Sequence, residues 1–583
     1  MSSLYQKKVK KRTVILAFFS LIWLSGIIFR LIQLQVIDHS RLKAEVIEQN
    51  RSINTISPKR GTIYDRNGNI LARSIPTQSV YYVSFNNEPF DYQFQKVQKL
   101  KGLLKLSEKN LKIIKRRIEK NASFIWLKRK IDSKKAEKVE NLHLSGIHLT
   151  EENKRFYPQG TQAAQILGRV NIDDDGASGI EYKYNAQLAG KKGKRLILRD
   201  AKLREYHFET LERPEPGNDL TLTIDETIQY IAEKELERAI LKRKAKWGTV
   251  IICEPSTGEI LALANYPFFD LNNPPPDPLK IDRIQGIHHI VDPGSTFKII
   301  IAAAAMESKS ISLDEDFDCS KGAINIAGKT FRDYHRFGIL SFPEVIIHSS
   351  NVGAIQIGQR LGEKTLFKTI KAFGFGQKTG IDLPVEVKGI VRPVKNWTQI
   401  SLASLSIGYE ISVTAIQMLQ VINIIANKGV VTTPKIVKKI LTSSFDQKKE
   451  PLSYKRVISE ITASNLSLIL ERVVEKGTGK AAQIKGYKIA GKTGTAQKFI
   501  PSTGTYSSSN HTASFVGFVM AEKPVFSMIV VIDDPQGQYY GSQVAAPVFG
   551  KIAAQILQYL RIPPQEDSLK TIIAAKPLRL MDQ

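Results

Sequence analysis

Three short clusters, in fixed chain order, hold the residue types that acyl transfer needs: Ser295-Thr296-Phe297-Lys298, Ser349-Ser350-Asn351 and Lys492-Thr493-Gly494-Thr495. A serine hydroxyl is a weak nucleophile until a base takes its proton, and a lysine does this when burial lowers its pKa. Ser295 and Lys298 are three residues apart, about 4.5 Å along a helix axis and on one face. Asp292-Pro293-Gly294 reads as a helix start with proline suited to the first turn, and Ile299 to Met306 is apolar all round. A buried helix is therefore expected to begin at Ser295, where free N–H groups and the dipole favour a developing oxyanion. The second cluster adds a proton-shuttling hydroxyl and an amide for a substrate amide. The third adds a cation and two hydroxyls that can hold a carboxylate.

Each pattern recurs, so position decides. Ser40 to Lys43 repeats the first spacing, where nothing suggests a pocket. Ser52, Ser84 and Ser508 each begin a Ser-x-Asn, two in the amino-terminal part and one in what reads as a serine-rich loop. Lys378-Thr379-Gly380 follows a helix-like stretch and leads into a loop, so it is expected to be structural. Lys492 lies on an extended run, Tyr487 to Ala496, that can pair with Ser514 to Met520. A strand beside the nucleophile can dock an extended peptide. No Gly-x-Ser-x-Gly elbow occurs, and His348 has no evident carboxylate partner and reads as packing.

These residues need elements to hold them. Gly248 to Cys253 and Ile260 to Ala264 read as buried strands, as do Ser514 to Met520 and Ser527 to Asp533. Asp225 reads as the N-cap of a helix from Glu226 to about Lys244, and Pro547 to Leu560 as a closing helix. Strands at both ends with helices between imply one sheet assembled from distant parts of the chain. Upstream, Asn67-Gly68 reads as a tight turn between short strands. The glycine-punctuated stretch 155–196 reads as a small strand-rich module. Residues 101–140 carry 14 Lys plus Arg against 5 Asp plus Glu, with Leu103, Leu104, Leu111, Ile114 and Ile118 at roughly helical spacing. They read as amphipathic helices with a basic surface.

The 583 residues exceed one core and imply two or more domains. A net charge of +28 admits nucleic acid, an anionic membrane face or an acidic polymer, but no nucleic-acid module is evident. Two cysteines, Cys253 and Cys319, exclude a disulfide framework, and scattered histidines offer no metal-ligand spacing. Lys7, Lys8, Lys10, Lys11 and Arg12 precede an uncharged run from Thr13 to Phe29, and Leu31 to Ile37 is again mostly apolar. This predicts a cytoplasmic amino terminus and an uncleaved single-pass anchor in the inner membrane, with the remainder outside it.

The chain resembles the class B penicillin-binding proteins, the membrane-anchored peptidoglycan D,D-transpeptidases, over most of its length. The three clusters are the motif set of penicillin-binding proteins and class A β-lactamases. The likeness extends through Arg60-Gly61 to Gly68, Arg155 to Gly168, Gly179-Ile180-Glu181, Ser406-Ile407-Gly408-Tyr409 with Thr414 and Gln417, and Tyr539-Tyr540-Gly541 before Ala545-Ala546-Pro547. The last blocks resemble the division-specific, FtsI-type branch. Cys253, where an aspartate is common, and the lysine-rich 101–140 stretch depart from the family's look.

The resemblance implies an α+β architecture. Residues 1–12 would be a cytoplasmic tail, 13–37 the transmembrane anchor, 38–235 an elongated strand-rich pedestal, 236–565 a transpeptidase domain of β-lactamase-like fold with an antiparallel sheet flanked by helices, and 566–583 a tail. It implies Ser295 as nucleophile, Lys298 as base, and the N–H groups of Ser295 and Thr495 as oxyanion hole. Ser349, linked to Lys298 and Lys492, would return the proton, Asn351 would bind the substrate's side amide, and Lys492, Thr493, Gly494 and Thr495 would form the carboxylate-holding strand. No cofactor or metal is expected. Stem peptides, β-lactams, an FtsW-like glycan polymerase and division proteins are the implied partners. An elongation-specific transpeptidase is the near alternative. A D,D-carboxypeptidase or a β-lactamase would share the three clusters without needing so large a pedestal, and a non-enzymatic sensor is expected to carry a cytoplasmic effector domain, for which twelve residues before the anchor leave no room.

Overall fold

The computed structural model describes residues 3–43, 51–83, 88–122, 124–199, 205–275, 277, 282–441, 455–520 and 523–564. Ser84-Phe85-Asn86 and the tail 566–583 lie outside them. The chain divides into two compact units, Met1–Lys59 with Gly190–Gly217, and Arg60–Ala189 with Asn218–Gln583. Residues 60–189 thus join the unit that contains the catalytic clusters, a division different from the boundary expected near 235.

The first unit holds a helix, Ser3–Ile32, that continues as a π-helical turn over Gln33–Ile37. An 18-residue window within Tyr5–Ile37 has a mean hydropathy of 2.2 and is not buried within the protein, and the helix is long and apolar enough to cross a membrane. Strands Arg51–Ile56, Gly193–Arg199 and Glu205–Glu212 form an antiparallel sheet with the middle segment central.

The second unit begins with β1 (Ile63–Tyr64) and β2 (Ile70–Val83), joined by the expected turn, where Gly68 has φ +94°. There follow α1 (Phe90–Lys99), α2 (Glu108–Glu119), β3 (Phe124–Ile131), α3 (Ser133–Glu140) and β4 (Ile147–Phe156). The lysine-rich stretch is helical where expected: Leu104, Leu111, Ile114 and Ile118 are buried against Val80, Tyr82 and Ile125. It also contains β3, a strand the helical reading did not include. β3 and β4 both pair with β2, so its Val80 and Tyr82 face the helices.

The stretch 155–196 differs from the strand-rich expectation. After β4 it forms short helical turns, Ala164–Leu167, Gly179–Lys183 and Asn185–Leu188. Gly168 and Gly179 bound helical turns, and only Gly193 begins a strand among the described residues of this stretch. Gly168 has φ +72°, and a Cβ there would lie 1.9 Å from Ser178 O. At the centre of this region the buried carboxylate of Glu181 accepts from Arg60 Nε and Arg155 Nε, each at 2.6 Å. Arg60 also donates to Asp174 O, Asn185 Oδ1 and Glu181 O, and Arg155 to Gly61 O. The quoted Arg-Gly and Gly-Ile-Glu blocks are therefore one packed ion cluster.

β5 (Asp219–Leu222) leads to α4 (Glu226–Arg243), which Asp225 caps by accepting from Thr227 N and Ile228 N. Then come β6 (Trp247–Cys253), β7 (Ile260–Tyr266), α5 (Lys298–Ser308), α6 (Phe342–His348), α7 (Asn351–Ala372), α8 (Ala415–Ala426), α9 (Glu460–Glu475), β8 (Lys488–Ile500), β9 (Thr505–Met520), β10 (Pro524–Asp533) and α10 (Gly541–Tyr559). An antiparallel sheet runs β7-β6-β10-β9-β8, with Ser527 opposite Cys253, so the two ends of this part of the chain do meet in one sheet. Both faces are covered, so both sets of alternate residues are apolar. Val250, Ile252 and Phe515 pack on α4 and α10, while Ile251, Val516 and Ile529 join the core that contains α5, α8 and α9. α10 starts at Gly541, earlier than expected, with Pro547 inside it. Ser508 lies in β9 and not in a loop.

Candidate active site

Ser295 sits in a 3-10 turn, Gly294–Phe297, that runs directly into α5. Every α5 residue from Lys298 to Ala305 is buried, because the helix passes through the core and its sequence is apolar on all sides. Gly294 has φ +54°, and a Cβ there would meet Thr495 O at 2.8 Å. Gly408 approaches the same turn: its oxygen accepts from Gly294 N at 3.1 Å, and a Cβ on it would lie 2.0 Å from Gly294 O. Two glycines thus let three backbones converge on the serine.

Lys298 is fully buried. Its Nζ lies 2.6 Å from Ser349 O, 3.2 Å from Ser349 Oγ and 2.8 Å from Asn351 Oδ1. Burial lowers its pKa to about 7, against the opposing charge of Asp333. A neutral amine has only two N–H groups, enough for Ser349 O and Asn351 Oδ1. Its lone pair is then left to accept a hydroxyl proton. No Ser295–Lys298 hydrogen bond is present among the described residues, and catalytic contacts of this kind commonly tighten only when substrate binds.

Ser349 ends α6 in the left-handed region, with φ 61° and ψ 36°, a conformation unusual for serine. Ser350 starts α7, accepting from Gly353 N at 3.0 Å. This corner depends on Asp333, which the motif reading did not single out. Asp333 accepts from Ser350 Oγ at 2.8 Å, from Val352 N at 3.2 Å and from Asn351 N. It lies 18 residues upstream of Asn351, in a loop with no periodicity to mark it. Asn351 Nδ2 donates to Arg332 O at 2.8 Å, so its amide is oriented at both ends. The Asp333→Ala variant should lose roughly 0.5–2 kcal/mol of capping stability. Since Asp333 raises the Lys298 pKa, its loss should move the midpoint of the acylation pH profile below about 7. A stopped-flow pH series with a chromogenic cephalosporin checks this, and a move toward alkaline pH would contradict it.

The third cluster lies on β8, the edge strand, with Lys492 opposite Val516 and Thr495 opposite Ala513. The strand presses on the serine's turn: a Cβ on Gly494 would come within 2.9 Å of Pro293 O and Thr296 Cγ2. Lys492 is fully buried, and its Nζ has no hydrogen-bond partner among the described residues. Burial, and then the charge of Lys298, push its pKa well down. The expected link from Ser349 to Lys492 is therefore not made among the described residues. Thr493 Oγ1 lies 2.7 Å from Thr478 Oγ1, and Thr495 Oγ1 accepts from Gly541 N at 2.9 Å.

The competing copies sit elsewhere. Lys378 is exposed, and its Thr379-Gly380 turn is pinned by Glu386 through Thr379 N and Oγ1, each at 2.6 Å, and Gly380 N. Ser40 and Lys43 are exposed. His348 packs against Phe337 at 5.7 Å between ring centres. Thr414 and Gln417 form the capping box of α8. Both cysteines are free: Cys253 takes the amide of Asn423, and Cys319 Sγ lies 3.3 Å from Ser350 Oγ.

Residues 248–554, more than half the chain, match the penicillin-binding protein transpeptidase domain. Residues 55–222 match the penicillin-binding protein dimerisation domain. The chain is a class B penicillin-binding protein. Among curated relatives it is 35% identical to stage V sporulation protein D of Bacillus subtilis over 525 residues, 88% of this chain and 80% of that one. It is 32% identical to the peptidoglycan D,D-transpeptidase FtsI of Escherichia coli over 556 residues, 94% of this chain and 92% of that one. Among solved structures it matches penicillin-binding protein 3 of Mycobacterium tuberculosis, crystallised with aztreonam, with a TM-score of 0.67 and 26% identity over 88% of this chain and 99% of that one. The class B assignment covers both the catalytic sheet and the region built around Glu181.

Proposed function

We propose that this penicillin-binding protein is a serine D,D-transpeptidase that cross-links peptidoglycan stem peptides in septal wall synthesis, through an acyl-enzyme on Ser295. The observation that carries the reading is a fully buried lysine, with its pKa near 7, that joins the start of a buried helix to the Ser349–Asn351 corner. Ser295 Oγ attacks the carbonyl between two terminal D-alanines, and its proton passes to neutral Lys298. The oxyanion takes N–H groups from Ser295 and Thr495. The tetrahedral species collapses, the C–N bond breaks, and Ser349 passes the proton to the departing D-alanine amine. An amine from a neighbouring stem then attacks the ester, and the serine regains its proton. A β-lactam places its strained amide at the same point and leaves an ester on Ser295.

The unpaired Lys492 fits a site that waits for a carboxylate, since an arriving anion favours its protonated form. Lys492→Ala should slow penicillin acylation on the order of 10-fold or more, from about 1.5–3 kcal/mol of lost charge-assisted binding. Lys378→Ala should leave the rate unchanged. Equal slowing in both, measured by fluorescent penicillin labelling, would overturn the choice of strand.

The five basic residues before the apolar run Thr13 to Phe29 favour a cytoplasmic amino terminus in the inner membrane and an external catalytic domain. Residues up to about 235 act as a pedestal that meets an FtsW-like glycan polymerase and division proteins. The test of the reaction is the product made from lipid-linked precursor by the full chain with a glycan polymerase. Cross-linked dimers that vanish in Ser295→Ala support the reading, and shortened stems alone would make the chain a carboxypeptidase.

A further inference from the structure

The lysine-rich stretch takes no part in acyl transfer, and it does more than solvate a helix. Where β2, β3 and α3 meet, a cavity of about 400 Å³ opens. Lys105, Lys128, Lys130, Lys135 and Lys154 line it against one carboxylate, Asp132. Two of these lysines are satisfied: Lys130 Nζ donates to Asp174 at 2.7 Å and Lys135 Nζ to Asp132 at 2.6 Å. The side chains of Lys105, Lys128 and Lys154 make no hydrogen bond or ion pair among the described residues. Gathering cations without counter-charge works against the fold, and Lys128 and Lys154 are half-buried as well.

The framework that holds them is rigid. Lys128 lies on β3 opposite Val80, and Lys154 on β4 opposite Ile75, so both flank the central strand β2. Lys105 is set at the end of a helical turn by a left-handed backbone, with φ 49°. Thr77 and Ser133 add hydroxyls to the lining, and Leu104 and Ile131 add apolar wall. The volume falls in the range of small-ligand sites, and the strands and the turn set the backbone positions of these lysines.

We propose that this cavity binds a phosphate-bearing anion, a phosphodiester or pyrophosphate group, separately from the catalytic site. The kind of cation decides between anions. Guanidinium forks suit planar carboxylates, which they grip bidentately, whereas ammonium groups act as point charges around a tetrahedral oxyanion. The lining holds five lysines and no arginine, so it suits phosphate better than an acidic peptide. The phosphate can come from a lipid headgroup or from a soluble phosphodiester polymer.

The probe is poly(glycerol phosphate), titrated by fluorescence anisotropy against the full chain in phosphatidylcholine nanodiscs. Binding should weaken at least tenfold in the Lys105→Gln/Lys128→Gln/Lys154→Gln variant, and should weaken with added salt. Penicillin acylation and the melting temperature of the variant should stay near those of the parent. If the triple variant fails to fold, the Lys128→Gln and Lys154→Gln single variants carry the test, each weakening binding severalfold. Phosphatidylglycerol in the disc that blocks the polymer would make the lipid headgroup the occupant, and unchanged polymer binding would make it the polymer. Either result supports a phosphate site. Equal binding by parent and variants would overturn it. So would polyglutamate of matched charge binding as tightly as the phosphate polymer.

Discussion

Methionine in place of Lys298 should leave a folded chain that fluorescent penicillin no longer labels at a measurable rate. The side chain is fully buried, so an apolar replacement of similar length removes a desolvated amine without opening a large void. What it removes is a group within hydrogen-bond reach of both Ser349 and Asn351 that can take a proton near neutral pH. General-base loss of this kind costs on the order of 10²–10⁴ in rate. The same account gives the sign of the pH profile in the parent protein. Because burial lowers the Lys298 pKa to about 7, its neutral, proton-accepting form grows as pH rises through that value and saturates above it. Acylation should therefore accelerate from pH 6 to 8 and then level. A rate that falls over that range would mean that the lysine works as a cation and not as the base.

Glu181→Ala should destabilise the chain by about 3–5 kcal/mol, because it strands two buried guanidinium groups with no counter-charge. Glu181 is fully buried, and Arg60 and Arg155 are nearly so. Among the described residues, Arg155 Nη2 has no hydrogen-bond partner even with Glu181 present. Glu181→Gln should cost less, since one acceptor oxygen survives. The check is the melting temperature of the full chain in detergent, with and without bound penicillin. A change below about 1 kcal/mol in the alanine variant would show that water or neighbouring carbonyls replace the carboxylate. At temperatures where the variant is folded, penicillin should still acylate it, because none of the catalytic groups lies in this cluster.

The chemistry was legible in the sequence wherever a local pattern carried it. Lys298 is recognisable because a single cation interrupts a helix that is apolar on every side. Asp225 is recognisable because an N-cap acts within its own first turn. The pairing of Cys253 with Ser527 was readable as strands at both ends of a domain, although nothing local states their register. What was not legible depends on distant contacts or on backbone angles. Asp333 holds the Ser350–Asn351 corner from a separate loop, and no spacing marks it. The left-handed Ser349 carries no residue-type signal, since serine there is tolerated only because α6 and α7 over-determine it. β3 was hidden among lysines because only Ile125, Leu127 and Ile131 are buried, too few to outweigh the helical periodicity on either side. The 155–196 stretch was misread because left-handed glycines end helical turns as readily as they end strands. α10 begins early because Gly541 N is anchored on Thr495 Oγ1, a contact made across the sheet.

The central claim is that Ser295, and no other serine, carries the acyl group. The direct measurement is tandem mass spectrometry of proteolytic peptides after the full chain has been incubated with penicillin. The penicilloyl mass should map to Ser295 in the peptide that contains Pro293-Gly294-Ser295-Thr296-Phe297-Lys298, and it should be absent from Ser295→Ala. An adduct that persists in that variant, on Ser349, Ser40 or any other residue, would contradict the account.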